Sequence, residues 1–292
     1  MIWDFERSVK FVNIELSANC NLKCLYCSRN KFGNNREPGF MTLTTFDKIL
    51  DMFPKDVLLQ LHLSGEPLMH PEFCEFVRFA CQKGFTNTRI HTNATLLTME
   101  LSEKLVKSGL TTIVFSIDGA DPGDYERIRG FSFDIVKKNI VDFLELNCGT
   151  IQVWIQTVVS KDKEKKINSG FLDWQNLYYM NDHLGHGSQL IVVHPHNWIY
   201  RNLIPESEDQ SCTQRPCYYL HNGMAITYDG DFVPCCNCLN KELVIGNIVN
   251  DTAKEVWDHQ MELMRRLQLI RQPLRPCSNC ERYEPIGELS CK

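Results

Sequence analysis

The sequence predicts an α/β fold, a partial (β/α)6 TIM-like barrel followed by a small C-terminal module, and three observations carry that prediction. Short β-branched or apolar runs alternate with amphipathic stretches from Phe11 to about His196, the signature of repeated strand–helix units around a parallel sheet. Polar signatures fall at the C-terminal ends of the predicted strands, where barrels of this kind carry their working loops. Near Arg201 the alternation stops, and a polar segment leads into a hairpin and one more helix.

Taken in chain order, the predicted strands are Phe11 to Leu16, Leu58 to Leu63, Thr88 to His91, Thr112 to Ile117, Ile151 to Val159 and Leu190 to His194. Helical patterns separate them at Thr44 to Met52, Pro71 to Lys83, Met99 to Ser108, Ile135 to Asn147 and, less regularly, Lys163 to His183. Thr98 is a cap signal, with Leu101 and Leu105 facing inward, and Asp134 precedes the run IVKKNIVDFLEL. Right-handed crossovers wind such units into an open barrel. Pro205 to Pro216 reads as loop, and MAITYDGDFVPCC as a hairpin turning at Asp229-Gly230. A helix then spans roughly Thr252 to Leu269, with Val256, Trp257, Met261, Met264 and Leu267 near helical spacing. The boundary falls near residue 200, giving a barrel over 1–200 and a module over 201–292. A segment of ~90 residues with so few apolar strands would gain from a metal staple.

Composition excludes several classes. The 292 residues are 43% hydrophobic and 23% charged, which rules out disorder, collagen and coiled coil. A net charge of -5 argues against general affinity for nucleic acid or anionic membrane, and no apolar stretch approaches the ~18 residues needed to cross a bilayer. The start, MIWDFERSVK, lacks the marks of an export signal, so the expected location is cytoplasmic.

Fourteen cysteines are too sparse for a disulfide scaffold, yet most are bunched. Cys20, Cys24 and Cys27 form one group; Cys212, Cys217, Cys235, Cys236 and Cys238 a second; Cys277, Cys280 and Cys291 a third. In a reducing compartment such bunching points to soft-metal ligation. Cys74, Cys81 and Cys148 stand alone among apolar neighbours and read as core residues.

The first group, C-x3-C-x2-C, follows the first strand directly. Three thiolates on one tight loop can hold three irons of a 4Fe-4S cube and leave the fourth without a protein ligand, open to an external chelator. Structural zinc would want a fourth protein ligand at paired spacing, and no histidine is near.

With Tyr26 before its last cysteine, this loop resembles that of the radical S-adenosylmethionine (SAM) superfamily. The resemblance extends along the chain. Ser64-Gly65-Glu66-Pro67, at the end of the second strand, is similar to the family's glycine–glutamate motif, with Ser64 where Gly is more frequent. Thr92-Asn93 closes the third strand, Ser116 to Gly119 closes the fourth, and YERIRG carries Arg129. The resemblance implies that Cys20, Cys24 and Cys27 ligate a cluster, that Gly65, Glu66 and Pro67 receive the methionine amine, that Ser116 and Asp118 lie at the ribose, and that Arg129 faces the carboxylate; Tyr26 and Asn93 complete the cofactor contacts. Read alone, Glu66 before Pro67 is equally a helix-start carboxylate, and Ser116 and Asp118 equally a turn.

In the second constellation, Cys217, Cys235, Cys277 and Cys280 supply four thiolates, which suit either zinc or a fully ligated 4Fe-4S cube; spacing does not choose. Pro234-Cys235-Cys236 after a Gly-Asp turn, LVIGNI, Trp257 and Pro276-Cys277-x2-Cys280 resemble the C-terminal SPASM or twitch module, which implies one auxiliary cluster. The implied cofactors are thus SAM and two 4Fe-4S clusters, with a flavodoxin or ferredoxin as reductant and a small molecule or peptide as substrate. The leading expectation is dehydrogenation of an alcohol-bearing small molecule such as a sugar or aminocyclitol, because the first strand begins at Phe11 and leaves no space for the leader-binding domain of many peptide-modifying relatives. Here His194 or Arg201 would position substrate or remove a proton. An epimerase or peptide-modifying enzyme would instead need a hydrogen-donating thiol, for which Cys236, Cys238 and Cys212 are candidates. A non-catalytic zinc-binding interaction protein is the competing class.

Overall fold

The computed structural model of the chain describes residues 3–31, 36–158, 189–193, 217–238, 240–270, 272–275 and 277–280. Six strands, β1 (Phe11–Ile14), β2 (Leu58–Gln60), β3 (Thr88–Thr92), β4 (Thr112–Ser116), β5 (Gln152–Val158) and β6 (Gln189–Val193), pair in parallel with their sequence neighbours. All six coincide with the expected strands to within a few residues. Val159 and His194, at the expected strand ends, lie outside the described residues, as does the expected Lys163 to His183 helix.

The helices begin where short polar side chains satisfy first-turn amides. After α1 (Phe5–Ser8) and α2 (Ser28–Lys31), helix α3 (Leu43–Asp51) is capped by Thr42, which accepts from Thr45 N at 3.1 Å. Helix α4 (Phe73–Gln82) has no side-chain cap, whereas in α5 (Met99–Val106) Thr98 accepts from Leu101 N at 3.2 Å. Helix α6 (Pro122–Arg129), which the sequence patterning did not identify as a helix, starts at Asp121 with Pro122 in the first turn and stops at Gly130, whose φ of +67° closes its end. Helix α7 (Phe133–Asn147) completes this half.

Packing separates the two faces of the sheet. Ile90, Ile113, Phe115, Val153 and Ile155 are buried in one apolar core with Phe76, Val77, Leu105, Ile140 and Phe143 of the helices. Burial alternates along β3 and β5, so that Arg89, His91, Trp154 and Gln156 occupy the other face, toward the interior of the curved sheet.

The C-terminal segment is not set apart from this sheet. After α8 (Tyr218–Asn222), strand β7 (Gly223–Ile226) pairs in parallel with β1, register Phe11 with Gly223, and β8 (Asp231–Val233) and β9 (Gly246–Asn247) continue antiparallel. Among the described residues the sheet order is β6-β5-β4-β3-β2-β1-β7-β8-β9. The expected hairpin is present, with Gly230 at φ +88° in its turn. The final helix forms as α9 (Ala253–Val256), a π turn at Trp257–Met261 and α10 (Glu262–Leu269), begun by a Thr252/Glu255 capping box. Its Trp257 indole donates to Trp3 O at 2.8 Å, tying it to the N-terminus.

Candidate active site

A cavity of about 410 Å3 opens at the C-terminal ends of β1 to β5, and it gathers Cys20, Cys24, Cys27, Tyr26, Gly65, Glu66, Asn93, Ser116, Asp118 and Arg129. These come from five separate segments. Pro67 does not line the cavity; it is buried in the first turn of the short 3-10 helix Pro67–Met69.

The cysteine loop is held by backbone. Leu25 N donates to Ile128 O of α6 at 2.8 Å, Cys27 N to Cys24 O at 3.2 Å and Asn30 N to Cys27 O at 3.0 Å. Burial pushes the Cys24 thiol up to about 11; Arg129, with Nη1 at 3.6 Å from the sulfur, opposes the rise, and Cys27 and Cys20 add to it. Burial raises the Cys20 thiol as well, and a cationic centre in the loop would oppose both rises, which suits these thiols as ligands.

Glu66 sits at the entrance to the 3-10 turn, and its carboxylate is fully engaged: Oε1 accepts from Thr92 Oγ1 at 2.6 Å and Leu68 N at 3.1 Å, and Oε2 from Asn93 N at 2.8 Å. Burial raises its pKa, and those three donors oppose the rise. It therefore serves as the helix-start carboxylate that the sequence allowed and also faces the cavity. Gly65 is required by close approach: a Cβ there would overlap Ser17 O and stand 2.5 Å from Asn19 O, while Glu66 N donates to Asn19 O at 2.7 Å. Asn93 donates to Asn21 Oδ1 at 3.0 Å, which links the β3 end to the cysteine loop.

Asp118 and Arg129 form an ion pair, Nε to Oδ2 at 2.7 Å, with both side chains almost wholly buried. Asp118 also accepts from Val158 N at 3.0 Å. The two residues that the resemblance placed at opposite ends of a ligand are thus in contact with each other.

Ser64, the departure from the more frequent glycine, has a partner. Its hydroxyl donates to Glu15 Oε1; Arg36 forms an ion pair with the same carboxylate, and Tyr228 N donates to it at 3.2 Å. Glu15 is 0% exposed, so this network joins the end of β1, the Ser64 loop and the β7–β8 hairpin through one buried charge.

The second cysteine group divides at one peptide bond. Cys236 and Asn237 line the cavity, whereas Cys235 packs with Cys238 in a separate cluster of buried residues. Burial, with Cys235, Cys280 and Cys217 adding, pushes the Cys277 thiol up. A hydrogen bond to Cys235 and burial do the same to Cys238, with Cys277 and Cys280 adding. Five cysteines therefore gather behind the cavity wall, and Asn237 N donates to Cys235 Sγ at 3.4 Å. Cys238 is accordingly not a cavity thiol, because its side chain leaves the hairpin toward Cys235. Cys212, His194, Arg201 and Cys291 lie outside the described residues.

Comparison with known proteins agrees with this layout. The model of the radical SAM superfamily matches residues 14–166, just over half of the chain, and the model of the SPASM iron-sulfur cluster-binding domain matches residues 217–281. The chain belongs to the radical SAM superfamily. The AdoMet-dependent heme synthase of Methanosarcina barkeri is 31% identical over 91% of this chain and 87% of that protein. The tungsten-containing aldehyde ferredoxin oxidoreductase cofactor-modifying protein of Pyrococcus furiosus is 28% identical over 93% and 87%. Among solved structures, BtrN in complex with AdoMet and 2-DOIA covers 96% of this chain and 98% of its own at TM-score 0.61 and 16% identity. SuiB of Streptococcus suis bound to S-adenosylmethionine covers 95% and 72% at TM-score 0.63 and 20% identity. The structural likenesses show the fold.

As a radical SAM chain it takes SAM and a 4Fe-4S cluster, and its SPASM domain points to auxiliary iron-sulfur binding. The donors fit. Three thiols ring one cavity and five gather behind it. Among the described residues, no helix is long and apolar enough to cross a membrane. Sequence reasoning missed Asn13, Gln60, His62, His91, Gln156 and Tyr219, and also Arg29 and Asn30, all of which line the cavity. The period-two placement of Arg89 and His91, and of Trp154 and Gln156, was the available signal.

Proposed function

We propose that this radical SAM protein dehydrogenates an alcohol-bearing small molecule, such as a sugar or aminocyclitol, with one auxiliary 4Fe-4S cluster and a flavodoxin or ferredoxin as electron donor. When bound, the SAM-ligating cluster supplies the electron that cleaves the sulfonium to a hydrogen-abstracting 5'-deoxyadenosyl group, and the auxiliary cluster supplies an acceptor for the second electron. Cys20, Cys24 and Cys27 would hold the first; Cys217, Cys235, Cys277 and Cys280 would hold the second, with Cys238 beside them. Gly65 lets its loop close against Ser17 and Asn19 at the cavity wall, where the methionine amine would lie, Arg129 presents a guanidinium paired with Asp118 for the carboxylate, and Ser116 offers a hydroxyl for the ribose.

The observation that carries this reading is the change of side at residues 235 and 236. A substrate held against Cys236 has the second cysteine set beginning one residue along the chain, on the other side of the cavity wall. BtrN, whose structure holds AdoMet and 2-DOIA, shares this fold over nearly the full length of both chains.

A second reading has one observation in its favour: Cys236 lines the cavity, where a thiol can return hydrogen to carbon. That would make the protein an epimerase or a peptide-modifying enzyme, and SuiB has been crystallised with its precursor peptide. Anaerobic reconstitution tests both. Roughly eight irons per chain, four for each cube, and release of 5'-deoxyadenosine under reductant support the proposal. Zinc at near two equivalents and no sulfonium cleavage refute it. With a deuterated substrate, a carbonyl product marks oxidation, whereas hydrogen returned to carbon and lost on Cys236→Ala marks epimerisation.

A further inference from the structure

Among the lining side chains that the motifs do not assign to cluster or SAM, those carried by the barrel strands and the loop after β2 include Asn13, Gln60, His62, His91 and Gln156, which form a polar floor; Arg29 and Asn30 of α2 and Tyr219 of α8 stand elsewhere on the wall. The floor residues come from β1, β2 and its outgoing loop, β3 and β5, and strand alternation turns them to the interior of the curved sheet. The interior of a TIM-type barrel is normally filled by Val, Ile and Leu. Here it is filled by amides and imidazoles.

Polar groups in such a place are costly unless they are hydrogen-bonded. Asn13 Oδ1 and His62 Nδ1 have no partner among the described residues, and neither do Arg89 Nε and Trp154 Nε1. Asn13 Nδ2 reaches only His62 O, at 3.5 Å. The rings of His62 and His91 lie against each other with centroids 4.3 Å apart. Burial, together with the Arg89 guanidinium, holds both imidazoles neutral, His91 down to about 3 and His62 well below its usual range. Arg89 itself is stacked on the Trp154 ring at 4.1 Å and is absent from the cavity lining. All five floor side chains therefore carry both a donor and an acceptor and no net charge. That chemistry matches hydroxyl groups, and none of the five can form an ion pair with a carboxylate or phosphate; the cations of the cavity lining, Arg29 and Arg129, stand on the cysteine-loop side and at the end of α6.

We propose that Asn13, Gln60, His62, His91 and Gln156 form the substrate site of this protein and that the substrate presents an uncharged, hydroxyl-bearing face to them. The inference rests on the SAM-dependent reading of the same cavity, because that reading assigns the rest of the wall. It narrows the substrate to neutral polyols, or to molecules whose reacting end is one.

The test is anaerobic calorimetric titration of the reconstituted, SAM-bound protein with four probes: myo-inositol and methyl glucoside, both uncharged, and glucuronate and glucose 6-phosphate. At least one uncharged probe should bind tenfold or more tighter than either charged one. His62→Leu and His91→Leu should each weaken that binding at least tenfold, whereas His62→Gln and His91→Gln, which keep a donor and an acceptor, should stay within threefold. The inference is overturned if a charged probe binds tighter, if none of the four binds, if the leucine variants bind like the parent, or if the glutamine variants lose as much as the leucine ones. Should a leucine variant fail to fold, the ranking of the four probes on the parent protein still decides. Release of 5'-deoxyadenosine from the same preparation without any probe tests the underlying reading separately: a protein that releases it and binds no polyol refutes this inference alone.

Discussion

Replacing His91 by glutamine should abolish part of the protein's sensitivity to mild acid, and the size of the effect follows from where the ring sits. His91 is turned to the interior from β3, and burial with the nearby Arg89 guanidinium lowers its pKa from 6.5 to about 3. An unfolded chain takes up a proton at this position as pH falls through 6.5, while the folded chain does not; stability present above that pH is therefore lost as pH falls toward 3. Between pH 7.5 and 5.5 the unfolded ring goes from about one-tenth to about nine-tenths protonated, which integrates to roughly 1.4 kcal/mol, a factor of about ten. Hydrogen exchange of β3 amides in the anaerobic holoprotein reads this as a tenfold loss of protection, after correction for intrinsic exchange rates. The comparison that isolates His91 is the difference of differences: His91→Gln should lose about tenfold less protection than the parent over the same two units. Titrating groups that do not touch His91 cancel in that comparison; His62, whose ring lies against it, stays neutral in both proteins through its own burial. If the two proteins respond to pH alike within a factor of two, the ring is not held neutral by its surroundings and the argument fails.

Three other outcomes follow from the same structure. Arg36→Met leaves the Glu15 carboxylate buried without its cation and should cost about 3–5 kcal/mol, measured from denaturation midpoints; adding Glu15→Gln should recover most of the loss. Gly65→Ala pushes a methyl into the backbone carbonyls of Ser17 and Asn19, which have no side-chain freedom to yield, so equilibrium dialysis should show SAM affinity down at least tenfold. Cys280→Ala should remove roughly four irons per chain, while the paramagnetic signal that responds to added SAM persists in the reduced protein; loss of all iron would show that the two cysteine sets are one centre.

Much of the fold was legible because it is written in local periods. Helix-facing Ile90, Val153 and Ile155 alternate with inward residues, Thr98 and Thr252 announce helix starts, and C-x3-C-x2-C after a strand is read without any tertiary knowledge. The helix of Pro122–Arg129 was missed as a helix because its mean character is polar and only Tyr125 and Ile128 anchor an apolar face. The inward histidines were passed over for a related reason: within a strand, a polar residue at every second position reads as a solvated face until the sheet is known to curve around it.

The chain by itself determined what backbone geometry and spacing dictate over a few tens of residues: the strand–helix order, the turn at Asp229-Gly230, the loop motifs and the presence of two thiol sets. Tertiary structure decided which of these meet. That Gly223 lies beside Phe11, with the ring occupying the space where a Cβ would stand, depends on bringing together segments more than two hundred residues apart in the chain. That Cys236 faces the cavity while Cys235 and Cys238 face away depends on how one hairpin leaves the sheet, and no pairwise spacing records that direction. Local preferences add up residue by residue along the chain, but which side chains share a cavity is a property of the whole closed packing, which only the folded molecule expresses.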